Sequence, residues 1–351
     1  MLIVIVTVVD MLAPSSVHLG PFLVAAPAVT ASFAGPRTTG CVGALAVLAQ
    51  ALVAVVRTSL VDLNHTIQLV TLILISTFVT LFAYWRERRV TELARVRSVA
   101  KAVQGVVLRP LPPRVGALRL ASVYLSAERE AQIGGDLYAA ARTTRSTRIV
   151  IGDVRGKGLE AVGEAALLLG AFRSAAHRQA DLGDLVGFLE GTVSSDLDNP
   201  VDPDHGTEDL GEAFVTAAVL DVPDDEPALH LINCGHPPPL LLGEGRIRPL
   251  EVGRPAPPLG LTEFVQTDLS PQRFAFDTGD TVLLYTDGVI EARDRDGIFY
   301  PLTQRLEQLT GGRAIEPETL LARLCADLLK HAGGHLDDDA AMVALQRLPG
   351  P

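Results

Sequence analysis

Four places in this 351-residue chain set an aspartate beside a glycine, or inside an acidic run, at the edge of an apolar segment rich in β-branched residues. They are Gly135-Asp136, Gly152-Asp153, Asp287-Gly288 and Asp337-Asp338-Asp339. One such pair is ordinary, because Asp and Gly end many strands. Four of them, with no accompanying set of His or Cys, describe a carboxylate-rich site. Clustered carboxylates repel one another unless they are protonated or neutralised by a cation. Oxygen-only donors favour hard ions, Mg²⁺ or Mn²⁺ rather than zinc. Two such ions about 3.5–4 Å apart can activate water and hold both oxygens of a phosphoryl displacement.

The elements that must carry these residues are legible around them. Gly279-Asp280 turns into Thr281–Tyr285, five residues that read as a buried strand ending at Thr286-Asp287-Gly288. Gly288 is expected to leave room there for metal-bound water or phosphate. A second apolar strand, Arg148–Ile151, runs into a Gly152-Asp153 turn, then Val154-Arg155-Gly156-Lys157-Gly158 and an apolar helix, Ala161–His177. Leu118–Leu125, Phe214–Asp221 and Leu229–Cys234 read as further strands. Leu240–Leu242 reads as the hairpin partner of Leu229–Cys234 across Gly235-His236-Pro237-Pro238-Pro239. Helical stretches at Leu302–Leu309 and Pro317–Lys330 precede the acidic triplet and a last strand, Ala341–Leu345. Strands with hairpin-length links and a few helices predict a mixed α/β body with largely antiparallel sheets.

Charge divides the chain into three. Residues 1–85 hold two basic and two acidic residues, residues 86–148 carry a net +8, and the remainder carries −19. The uncharged head contains apolar runs at Met1–Val9, Leu19–Phe33, Cys41–Val56 and Ile67–Trp85, the last closed by Tyr84-Trp85 and then Arg86-Glu87-Arg88-Arg89. A bilayer core needs about 20 apolar residues per helix. Boundary aromatics followed by basic residues mark a cytoplasmic flank. About four spans are expected, with both chain ends and the acidic body on the cytoplasmic side of the plasma membrane. Residues 86–118 read as a helical linker with apolar residues at steps of three and four, ended by Arg109-Pro110-Leu111-Pro112-Pro113. That helix could pair as a homodimer or lie on anionic lipid. The acidic body disfavours nucleic acid, and Cys41, Cys234 and Cys325 are too scattered for a disulfide framework or a zinc site.

The motifs Gly134-Gly135-Asp136-Leu137-Tyr138, Gly152-Asp153-Val154-Arg155-Gly156-Lys157-Gly158, Phe214-Val215-Thr216-Ala217, Asn233-Cys234-Gly235-His236-Pro237-Pro238, Tyr285-Thr286-Asp287-Gly288 and Asp338-Asp339 occur in that order. Together they resemble the metal-dependent protein phosphatase family (PPM, or protein phosphatase 2C-like) in its bacterial sporulation and stress-response, SpoIIE-type branch. The resemblance covers residues 119–348. It implies an α-β-β-α sandwich and hydrolysis of phosphoserine or phosphothreonine on a partner protein with two Mn²⁺ or Mg²⁺ ions. The implied substrate class is a phosphorylated regulator resembling an anti-anti-sigma factor.

By that resemblance Asp136 is a ligand of the first metal, Asp153 bridges both ions with the Val154 carbonyl beside it, and Asp287 holds the second. One aspartate of the triplet closes the site: Asp338 in the better registration, Asp337 in the other. The chain also departs from the pattern. Arg155 stands where eukaryotic members have a histidine, and Ala139 where many relatives have a second aspartate. His236 reads as a structural turn residue, and Asp196–Glu212 as a mobile acidic loop where relatives have variable loops, either touching the substrate or merely solvated. The competing reading is a non-catalytic pseudophosphatase that binds phosphoproteins.

Overall fold

The computed structural model describes residues 2–12, 19–57, 63–127, 134–198, 214–261 and 268–349, with the backbone alone over 57, 63–65, 93–107, 159 and 196–198. The expected acidic loop falls largely outside these residues, as does Gln132-Ile133 ahead of the first glycine motif. Two compact units are present, Met1–Val96 and Arg97–Pro351.

The first unit is helical. It comprises α1 (Leu2–Leu12), a 3₁₀ turn (Gly20–Val24) leading into α2 (Ala25–Phe33), α3 (Pro36–Arg57) and α4 (Leu63–Val107). Two helices are long and apolar enough to cross a membrane, over Pro36–Val56 and Thr66–Glu92; Leu2–Leu12 and Gly20–Phe33 are shorter apolar helices. Arg86 donates to the carbonyls of Ser32 (3.3 Å) and Ala34 (3.4 Å), satisfying orphan acceptors at the end of α2. The linker begins as a direct continuation of the last apolar run. It stops at Val107, because the chain reaches Pro110 and the residue before a proline is pushed out of the helical region.

The second unit is a four-layer sandwich. Its strands are β1 (Arg114–Val115), β2 (Leu118–Leu125), β3 (Leu137–Arg142), β4 (Ser146–Val154), β5 (Val215–Pro223), β6 (Ala228–Cys234), β7 (Leu240–Gly243), β8 (Arg246–Pro249), β9 (Gln272–Ala275), β10 (Thr281–Tyr285) and β11 (Ala340–Arg347). Its helices are α5 (Leu159–Ala175), α6 (Leu182–Asp198), the single turn α7 (Asp287–Ile290), α8 (Leu302–Thr310) and α9 (Pro317–His331). One sheet runs β1-β2-β11-β10-β7-β8 and the other β3-β4-β5-β6-β9, with neighbours antiparallel throughout.

The layering follows from the two-residue period of a strand. Val282, Leu284, Val343 and Leu345 face the larger core with β3–β6 and helices α5 and α6. Their alternates Leu283, Tyr285, Met342 and Ala344 face α8 and α9. Burial on both faces explains why Thr281–Tyr285 is buried at every position.

Two expectations are corrected. Leu240–Leu242 is not the hairpin partner of Leu229–Cys234; β7 pairs with β10 and β8 in the opposite sheet. The intervening prolines lack the N–H a ladder requires, and Gly235 takes φ +69°, so the chain crosses between sheets instead of folding back. Gly152-Asp153 is not a turn either. Both residues lie inside β4, and the chain leaves the strand only after Val154. Gly152 is there for close approach: a Cβ at this position would lie 2.5 Å from the Thr216 carbonyl oxygen on β5.

Candidate active site

Strand register brings the acidic residues to one edge. Leu137 at the start of β3 pairs with Gly152 near the end of β4, so Asp136 and Asp153 become neighbours. Tyr285 at the end of β10 pairs with Met342 near the start of β11, so Asp287 meets the triplet that precedes β11. The two sheets open their acidic ends onto a common pocket of about 330 Å³. It is lined by Asp136, Asp153, Asp287, Asp338 and Asp339, with Arg155, Lys157 and Thr216 among its other walls.

Asp136 is buried, at 4% exposure. Burial, then the charge of Asp153, holds its carboxyl well above the usual range, against the hydrogen bond from Thr286. Asp153 is pushed up to about 7, first by burial and then by the charges of Asp287 and Asp338. Asp287 is raised by burial, Glu291 and Asp338. The carboxylates therefore sit in one another's field. Among the described residues, no three acidic, His or Cys side chains converge on one point. The acidic groups share one pocket lining.

The triplet resolves into distinct positions. Asp338 is half-exposed on the lining, 3.5 Å from the Lys157 ammonium. Asp339, which the sequence reading did not single out, is buried and accepts N–H groups from Ala127 (2.5 Å) and Gly134. Asp337 is not part of the lining. Val154 is buried and outside the lining too; its N–H donates to the Gly135 carbonyl at 3.3 Å. A Cβ on Gly135 would lie 2.6 Å from the Val154 oxygen. The two glycines before Asp136 thus let its segment press against Val154 and Asp339.

Gly288 acts otherwise than expected. A Cβ here would lie 1.9 Å from the Asp339 carbonyl oxygen, so backbone and not water or phosphate takes the space beside it. Thr286, also missed in the sequence, is fully buried. Its hydroxyl donates to Asp136 Oδ2 (2.9 Å) and accepts the Ala341 N–H (2.9 Å), joining the two sheets at the site. Its only sequence signal is its place immediately before Asp287.

His236 is buried behind the site. Its N–H donates to Asn233 Oδ1 (2.8 Å), its carbonyl accepts from Asn233 Nδ2 (2.8 Å), and its Nδ1 lies 3.1 Å from the Thr216 hydroxyl. Burial lowers its pKa to about 3, against a pull from the Tyr285 backbone. Its Nε2 is buried with no hydrogen-bond partner. A neutral ring locked in this way is a turn brace. Arg155, at the position noted for a missing histidine, lines the pocket with its guanidinium 5.1 Å over the Phe214 ring. Ala139 is a buried strand residue.

Two face-to-face antiparallel sheets flanked by helices match the fold of PP2C-type phosphatase structures. Over residues 143–348 the chain matches the family model described as Stage II sporulation protein E (SpoIIE), and it belongs to that family. The fold resembles the RsbU and RsbW domains of Rv1364c from Mycobacterium tuberculosis, at 24% identity and TM-score 0.53 over 69% of this chain and 62% of that one. It also resembles the SiaA-PP2C domain of Pseudomonas aeruginosa, at 17% identity and TM-score 0.53 over 74% and 98%. A third is the PP2C phosphatase domain and regulatory fragment of SpoIIE from Bacillus subtilis, at 15% identity and TM-score 0.51 over 65% and 63%. The chain thus spans less than two thirds of the Mycobacterium and Bacillus structures.

Proposed function

We propose that this chain is a membrane-anchored, metal-dependent protein serine/threonine phosphatase. Residues 1–85 would be its membrane region, 86–118 its linker and 119–348 its catalytic domain. The observation that carries the reading is the pocket where Asp136, Asp153, Asp287, Asp338 and Asp339 meet. Buried carboxylates that raise one another's pKa are a poor arrangement for an apoprotein and a good one for hard divalent cations. The donor set fits Mn²⁺ or Mg²⁺.

Asp136, Asp153, Asp287 and Asp338 would hold the ions. When bound, the ions supply charge neutralisation at the phosphoryl group and a water acidic enough to attack it. The chain's own residues do the rest. Thr286 holds Asp136 in place, and the two sheets fix the separation of the acidic edges. Asp339 ties Gly134 to the start of β11, keeping the first carboxylate in register. The substrate follows from the family branch: phosphoserine or phosphothreonine on a cytoplasmic regulator resembling an anti-anti-sigma factor.

Membrane anchorage rests on the surface of the first unit. Leu45, Leu48, Leu52, Val55, Ile73, Leu74, Phe78 and Phe82 are exposed along its two long helices. The test of the catalytic reading is hydrolysis of a phosphoserine peptide by the full-length protein in detergent. Turnover that requires Mn²⁺ or Mg²⁺ is expected; no turnover at any metal concentration contradicts it and favours a phosphoprotein-binding role.

A further inference from the structure

Among the described residues, two cationic side chains line the acidic pocket, Arg155 and Lys157. Lys157 is anchored through its backbone. Its backbone bridges to Gly134, next to the first aspartate motif. It stands between Gly156 (φ +115°) and Gly158 (φ +95°), conformations that L side chains rarely adopt. The chain therefore makes two unusual turns to present one lysine at the rim of the site. Its ammonium reaches Asp338 at 3.5 Å, and both side chains are about half exposed. A solvent-screened pair of this kind contributes little to stability. Five aspartates line the pocket against these two cations, so as it stands the site repels a phosphoryl dianion.

We propose that Lys157 is a phosphoryl-binding residue held in reserve on Asp338. When Asp338 turns toward a divalent cation, the ammonium is released to a non-bridging oxygen of the substrate phosphoryl group, beside Arg155 on its Phe214 platform. The inference rests on the phosphatase reading and deepens it: the lysine admits phosphate only where Asp338 has been drawn to metal, which couples metal loading to substrate capture. No bond is made or broken in the exchange. One ammonium changes its acceptor from carboxylate to phosphoryl oxygen, as a compact point charge with three donors can do readily.

The test is calorimetry on the full chain in detergent, titrating Mn²⁺ and then inorganic phosphate into the Mn²⁺-loaded protein. Lys157→Ala is expected to weaken phosphate binding about tenfold, the size of one lost charge-assisted hydrogen bond. Lys157→Arg should restore most of it. Mn²⁺ affinity should hold or rise in Lys157→Ala, because Asp338 loses its competitor. Phosphate affinity unchanged in Lys157→Ala overturns the proposal, as does a fall in Mn²⁺ affinity that matches the fall in phosphate affinity. Phosphopeptide turnover by the wild type, run in parallel, separates the two ideas. Turnover with unchanged phosphate binding in the variant removes the lysine's role alone, and absence of turnover removes the phosphatase reading.

Discussion

At the scale of single residues, Thr286 and Asp153 carry the most testable consequences. The Thr286 hydroxyl serves Asp136 and the Ala341 N–H at once, at 0% exposure. Thr286→Ala leaves a buried N–H unpaired and a carboxylate unoriented. The expected cost is about 1–3 kcal/mol of stability and about 10–100-fold in Mn²⁺ affinity. Thr286→Ser should keep most of both. Thermal denaturation and calorimetry check this, and an alanine variant with wild-type Mn²⁺ affinity would remove Thr286 from the site. Asp153 sets a pH dependence. Its folded pKa of about 7 lies above the ordinary 3.8, so between those values the folded chain keeps a proton that the unfolded chain has lost. The stability this confers is complete below 3.8 and is lost as pH rises through about 7. Cation binding must displace the same proton. The rise in melting temperature on adding Mn²⁺ should therefore be larger at pH 8 than at pH 5, and equal shifts at both would contradict the account.

At the scale of elements, the site depends on how closely the strands approach. Gly288 has the Asp339 carbonyl where a side chain would begin. Gly288→Ala is expected to displace the start of β11 and with it Asp338 and Asp339, costing about 1–3 kcal/mol and lowering Mn²⁺ affinity. Gly163 on α5 has open space around it, so Gly163→Ala should be neutral or stabilising by about 0.4–1 kcal/mol. Comparing the two melting temperatures checks the claim, and similar values would refute it.

The same elements show what a sequence can and cannot disclose. β2, β5, β10 and β11 were legible within about two residues, because β-branched apolar runs between Gly and Pro have few other solutions. The partner of Leu240–Leu242 was not, since adjacency in the chain favours a hairpin and only the core decides which sheet the segment completes. Asp136, Asp153 and Asp287 could be singled out by the glycines beside them. The triplet could not be resolved, because three identical residues carry no register. What separates them is where β11 begins, at Ala340, and the N–H groups waiting for Asp339. Thr286 looked like an ordinary strand-end residue until the two sheets were brought together.

At the scale of the whole molecule, the apolar side chains divide the chain as sharply as the charges do. Among the large apolar residues that are described and exposed, all but Leu167, Phe188, Ile298 and Phe299 belong to Met1–Val96. A water-soluble helical unit would bury such residues; a unit that faces lipid exposes them. The full-length protein is therefore expected to stay with the membrane fraction after alkaline carbonate extraction, and release into the supernatant would contradict anchorage. A catalytic body with a formal −17 over residues 119–348 would then act on a protein that can approach an acidic surface, with divalent cations reversing the local field at the pocket.

On the proposed function, acidic strand ends from two sheets form one metal-dependent hydrolytic site. Asp153 is the residue on which it turns, because it lies in the field of Asp136, Asp287 and Asp338 together. The most direct test is phosphate release from a phosphoserine peptide as a function of Mn²⁺, for the full-length wild type and for Asp153→Asn. The account predicts a rate that rises with Mn²⁺ and saturates in the wild type, and a flat background in the variant. A variant that retains the wild-type rate and Mn²⁺ dependence would contradict it.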